Sequence, residues 1–94
     1  MAAIGLLEVE FILPTSQSLK DKRRVLRSIK DHLAGKFNVS VAEVGYQEKL
    51  GRCQLAVVSI AAERLVVEKR LREVEDRIES HTEISVIDRQ VQWL

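Results

Sequence analysis

The order in which the hydrophobic period changes along the chain constrains its fold more than any other feature. Over residues 3–13 (AIGLLEVEFIL), Leu7, Val9, Phe11 and Leu13 recur at every second position and share one face of a strand. Leu6, Glu8, Glu10 and Ile12 take the opposite face. Pro14 ends the run, and PTSQS supplies turn chemistry. Ser18 with Asp21 three residues later fits a capping box, with Asp a weaker partner than Glu. Leu26, Ile29, Leu33 and Phe37 then recur at helical spacing with Val25 beside them, and Gly35 is the expected C-cap. Residues 38–44 (NVSVAEV) read as a second strand. Gly45 and Gly51 bracket a loop over 45–51. Residues 52–62 (RCQLAVVSIAA) form a nearly unbroken apolar run, as a central strand requires. Residues 63–81 form a second amphipathic helix that buries Val67, Leu71, Val74 and Ile78, and 82–94 form a closing strand.

This β-α-β-β-α-β order folds through two right-handed split crossovers into an α+β, ferredoxin-like sandwich. Its four-stranded antiparallel sheet carries both helices on one face. Strands 1 and 3 are expected at the centre and strands 2 and 4 at the edges. The 94 residues suit one domain, 1–94, and a hydrophobic fraction of 46% suits a folded core. The single cysteine, Cys53, rules out a disulfide within the chain and fits a reducing cytosol. The first residues lack a basic start, and Glu8 and Glu10 interrupt their apolar run. Neither a signal peptide nor a membrane span is expected, and the expected location is cytoplasmic.

Several stretches together resemble the YlxP-like family of small bacterial proteins, a domain of unknown function. They are SLKDKRRVL, KFNVSVAEV, LAVVS and the terminal WL, and the resemblance runs from about Gly5 to Leu94. It implies a ferredoxin-like fold and no established catalytic residues. The family's genes often lie near those for translation initiation and ribosome maturation, which implies work on RNA or ribosomes by association alone. Relatives often carry a loop like HQD-x-WQR. Here the matching stretch is YQEKLGR, in which Gln47 and Arg52 keep the pattern and Glu48 is conservative. Tyr46, Leu50 and Gly51 depart from it. Tyr46, Gln47, Glu48 and Arg52 are therefore the candidate partner-binding residues.

Charge supplies the other candidate site. Residues 19–36 hold seven bases and two acids, a net of +5 in a chain of +1, so the remainder sums to −4. Lys20, Arg23, Arg24, Arg27 and Lys30 recur at steps of three and four and fall roughly on one helix face, where they would meet phosphates. The competing reading is a solvated face on which Asp31 pairs with Arg27. The second helix interleaves five bases with six acids over 63–80 and asks for no anionic partner.

Other chemistry is poorly served. Strand 3 has no aromatic on which RNA bases would stack, so binding by the usual sheet route is not expected. Glu8 and Glu10 point to one sheet face, with Asp88 and Arg89 as candidate cross-strand partners. Cys53 reads as a small buried hydrophobe, His32 as a wet helix residue, His81 as a helix end and Trp93 as a core margin. No metal set, no cofactor and no nucleophilic triad is indicated.

The leading expectation is a non-enzymatic, small cytosolic binding protein that contacts structured RNA or a ribosomal particle through the basic helix over 18–36. The alternative is a protein-interaction or homodimerisation module, using loop 45–51 or an open sheet face with Leu6, Ile12, Ala56, Val58 and Ile60 outward. A small-molecule regulatory domain is the third reading.

Overall fold

The computed structural model describes all residues, 1–94. Its elements follow the expected order: β1 (Ala3–Ile12), α1 (Leu19–Lys36), β2 (Ser40–Gly45), β3 (Arg52–Ala61), α2 (Arg64–Glu79) and β4 (Ser85–Trp93). The strands form one antiparallel sheet in the order β2-β3-β1-β4, with the apolar β3 and β1 at the centre as expected. Together these make the ferredoxin-like α+β sandwich.

Alternation assigns the two sheet faces. Leu7, Val9 and Phe11 of β1 and Cys53, Leu55 and Val57 of β3 are completely buried. They meet Val25, Leu26, Ile29 and Leu33 of α1 and Val67, Leu71, Val74 and Ile78 of α2 in one core of 16 residues. Burying a side chain of this kind contributes about 1.5–3 kcal/mol, so this layer holds the helices to the sheet. Gly5 stands where α2 crosses closest. A Cβ there would lie 2.8 Å from Leu71 Cδ1 and from Val67 Cγ1. Trp93 packs at the core margin, with the Arg64 guanidinium 4.2 Å above its ring.

Helix ends depart from expectation in two places. Ser18 does cap α1, accepting the Asp21 amide at 3.0 Å. The Asp21 carboxylate turns to Arg24 instead of back to Ser18, so half of the capping box forms. Gly35 is not a C-cap. The helix runs through it to Lys36, and Phe37, in extended backbone, donates its amide to the Leu33 carbonyl. No glycine adopts positive φ; Tyr46 does, at 60°. Two bulges also escape period counting: Val44 and Ile87 are each an extra residue in an edge strand.

Candidate functional site

The helical period sorts the cations of α1 by direction. Leu26, Ile29 and Leu33 face the sheet, so Lys20, Arg23 and Arg27 stand on the solvent side and are exposed, with Lys30 half-buried on the flank. None of these four lies within ion-pair distance of an acid. The Arg27–Asp31 pair of the competing reading does not form. From Lys20 to Lys30 the stripe spans about 15 Å at 1.5 Å rise per residue. Lys20 and Arg23 also lie in the first turns, where the helix dipole is positive and cations are disfavoured. The stripe is thus a positive surface that the fold itself leaves uncompensated.

Arg24 differs from its neighbours. Its guanidinium reaches Asp21 and Glu83, each at 2.9 Å, tying α1 to the segment before β4. The hydrogen bonds that Arg24 donates to Glu83 and then to Asp21 raise its pKa further above its ordinary value. The same Arg24 hydrogen bond lowers that of Glu83. Its charge is satisfied at home, so an anionic partner gains less from Arg24 than from Arg23 or Arg27.

Lys22, counted in the sequence only as one of the seven bases of the helix, is the cation whose role sequence reasoning missed. It is only 2% exposed, and it counts with the core in position as well as burial. Lys22, Leu26, Ile29 and Leu33 follow one helical stripe, the signal that could have revealed it. Its Nζ donates to the carbonyls of Tyr46 at 2.7 Å and Lys49 at 2.6 Å, and stands 3.1 Å from Glu43 Oε2. That last contact is close but poorly directed, and Glu43 Oε2 has no hydrogen bond. Lys22 therefore binds the β2–β3 loop to the start of α1.

The loop residues are exposed and distributed around that tether. The Lys49 amide donates to the Tyr46 carbonyl at 2.9 Å, closing a turn that holds Tyr46 in the left-handed region. The Arg52 guanidinium stacks 4.6 Å from the Tyr46 ring centroid and is fixed from the other side by Glu10, whose Oε2 accepts from Nε at 2.8 Å. The Glu10 hydrogen bond raises the Arg52 pKa. Gln47 donates to the Glu43 carbonyl at 3.2 Å, and Glu48 makes no side-chain contact of this kind.

On the open sheet face Leu6, Ile12, Ala56 and Val58 are half-buried and Ile60 is exposed, oriented as expected. Glu8 and Glu10 share that face, but their partners differ from those expected. Gln54 bonds Glu8 and Arg52 bonds Glu10, whereas Arg89 turns to Glu75 of α2 at 2.6 Å. Asp88 sits opposite Glu10 and accepts the Arg89 amide. Cys53 is buried, and burial, then Glu43, pushes its thiol up to about 12. His32 and His81, distant in sequence, border one groove between the helices. No three His, Cys, Asp or Glu side chains converge as a metal site, and no helix is long and apolar enough to cross a membrane.

Fold and charge together define a ferredoxin-like domain with one unbalanced basic helix. Comparison with known proteins narrows the class. Residues 4–91 match the family described as Protein of unknown function (DUF503), and the chain belongs to that family. It is 37% identical over 90 residues to the uncharacterized protein YlxP of Bacillus subtilis (strain 168), covering 96% of this chain and 98% of that one. Among solved structures it is similar to a C-terminal segment of the alpha subunit of aIF2 from Pyrococcus abyssi. The TM-score is 0.56 at 14% identity, over 92% of this chain and 49% of that one. At that identity the likeness concerns the fold alone, and the chain spans about half the length of that structure.

Proposed function

We propose that this protein is a non-enzymatic cytosolic binding protein that docks on structured RNA, free or in a ribosomal particle, through α1. The observation that carries the reading is the row Lys20, Arg23, Arg27 and Lys30, four cations without an acidic partner in a chain of net charge +1. A folded protein gains nothing within itself from this row, and a phosphate backbone would neutralise it while releasing counterions. Leu26, Ile29 and Leu33 hold the helix rigidly on the sheet, so the row is presented without an ordering cost. The acids of the open sheet face and the absence of an aromatic in β3 argue for the helix side as the contact surface.

The reading is tested by sedimenting the pure protein with purified bacterial small ribosomal subunits through sucrose at low and moderate salt. Wild type is expected to travel with the particle at low salt, and Arg23→Glu/Arg27→Glu to stay at the top while remaining folded by circular dichroism. Arg24→Glu is a poor test, because it also breaks the bridge to Glu83. Equal behaviour of wild type and the double variant would overturn the reading.

A further inference from the structure

The chain has two histidines, His32 and His81, and the fold sets both on one groove. The groove lies between α1 and the C-terminal end of α2 and has a volume of about 360 Å³. Small-ligand sites run from about 300 to 1,000 Å³, so it has room for one nucleoside and not for the edge of a duplex. Ile29, Leu33 and Ile78, all buried, form its apolar floor. Arg77 lines it too, and its half-buried guanidinium lies within ion-pair distance of no acid. The Glu83 amide donates to His81 Nδ1 at 3.4 Å, which orients the ring and leaves Nε2 to carry the proton of the neutral imidazole. Glu83 is the one acid of the lining, and Arg24 already holds it.

We propose that this groove receives one unpaired base of an RNA held by α1, a site that rests on the reading of α1 as the RNA surface. Two imidazoles and a guanidinium above an apolar floor match the chemistry of a nucleobase. Bases splayed out of a strand stack on aromatic rings and on arginine planes, and they bond through their edges. A bare phosphate would use Arg77 and gain nothing from Ile29, Leu33 and Ile78. The groove is also continuous with the basic row. Ser28 lines both the groove and the surface that carries Lys20, Arg23 and Arg27. A strand whose phosphates meet the row therefore has a place for one base on the next flank of the same helix. The two surfaces divide the work: the row grips any phosphate backbone, and the groove selects a base outside a duplex.

Two RNA hairpins that differ by a single unpaired adenosine test the groove, with wild type and His32→Ala/Arg77→Ala. Alanine suits both helical positions, so the variant keeps the fold. Wild type is expected to bind the bulged hairpin roughly tenfold more tightly than the paired one, the effect of one stacked base. The variant is expected to lose that preference and to keep the wild-type salt slope on the paired hairpin. By NMR, the His81 ring signal is expected to move with the bulged hairpin and much less with the paired one. Adenosine monophosphate serves as a probe that does not need α1. Equal, salt-dependent binding of both hairpins by wild type would overturn the groove and spare the row. Failure of wild type to bind either hairpin would overturn both. A His81 signal that moves with adenosine monophosphate but not with the bulged hairpin would overturn the proposal in favour of a free-nucleotide site. The comparison of the two hairpins on wild type decides the matter if the variant does not fold.

Discussion

Replacing Lys22 by Met keeps the length and apolar stem of the side chain and removes its ammonium. At an exposed lysine of α1 the change would cost less than about 0.5 kcal/mol. At position 22 it removes the only side-chain donor to the carbonyls of Tyr46 and Lys49 and the one cation beside Glu43. The Tyr46 carbonyl keeps the Lys49 amide, the Lys49 carbonyl left without a partner costs about 1–3 kcal/mol, and breaking a buried ion pair costs about 3–5 kcal/mol. These overlap, because the same ammonium serves all three groups and Glu43 is partly exposed. The expected loss is therefore about 3–4 kcal/mol. For a domain of this size that is a fall in Tm of about 12–30 °C. Urea unfolding followed by circular dichroism measures it, with Lys20→Met as the comparison. Adding Glu43→Gln to Lys22→Met should recover part of the loss, since the orphaned carboxylate is then gone. A Lys22→Met protein within 1 kcal/mol of wild type would refute the tether and return Lys22 to the solvated cations.

Three further outcomes follow from the packing. Gly5→Ala places a methyl against Leu71, Val67 and Trp93 and should cost about 1–3 kcal/mol in urea unfolding. Tyr46→Gly trades about 1–2 kcal/mol of left-handed backbone strain against about 0.5–1 kcal/mol of lost stacking on Arg52, so it should be nearly neutral, whereas Tyr46→Val should destabilise clearly. Native Cys53 should resist aromatic disulfide reagents at pH 8 and react once denatured. Its folded pKa is raised to about 12, so its contribution to stability is intact below the unfolded thiol's range of about 8.5–9 and declines as pH rises toward 12. Urea midpoints of Cys53→Val should fall less over that alkaline window than those of wild type.

The element order was legible because each buried face writes a period: two along Leu7, Val9 and Phe11, and 3.6 along Val67, Leu71, Val74 and Ile78. Pro14 and Ser18 marked the first boundary by their backbone chemistry. Gly35 misled, because a glycine near a helix end is a C-cap only when the chain turns left-handed there, and this chain turns at Phe37 instead. The basic helix was visible as a count, but its division was not. Arg24 is paired with Glu83, 59 residues away, and Lys22 is held by two loop carbonyls beside Glu43, and such partners exist only once the sheet has formed. Lys22 did announce itself by position, at the head of the stripe Leu26–Ile29–Leu33, where its charge outweighed its place in the pattern. The bulges at Val44 and Ile87 leave no mark in apolar alternation, because exposed edge strands tolerate either residue type.

The most direct test of the account is the salt dependence of binding to a fluorescently labelled RNA hairpin, measured by anisotropy for wild type and Arg23→Glu/Arg27→Glu. Four phosphates neutralised by Lys20, Arg23, Arg27 and Lys30 predict a log–log slope of about −3 to −4 for wild type. The double variant should bind more weakly with a slope about two units shallower. A wild-type slope near zero, or the same slope and affinity in both proteins, would show that the basic row of α1 is solvated surface and would contradict the proposed function.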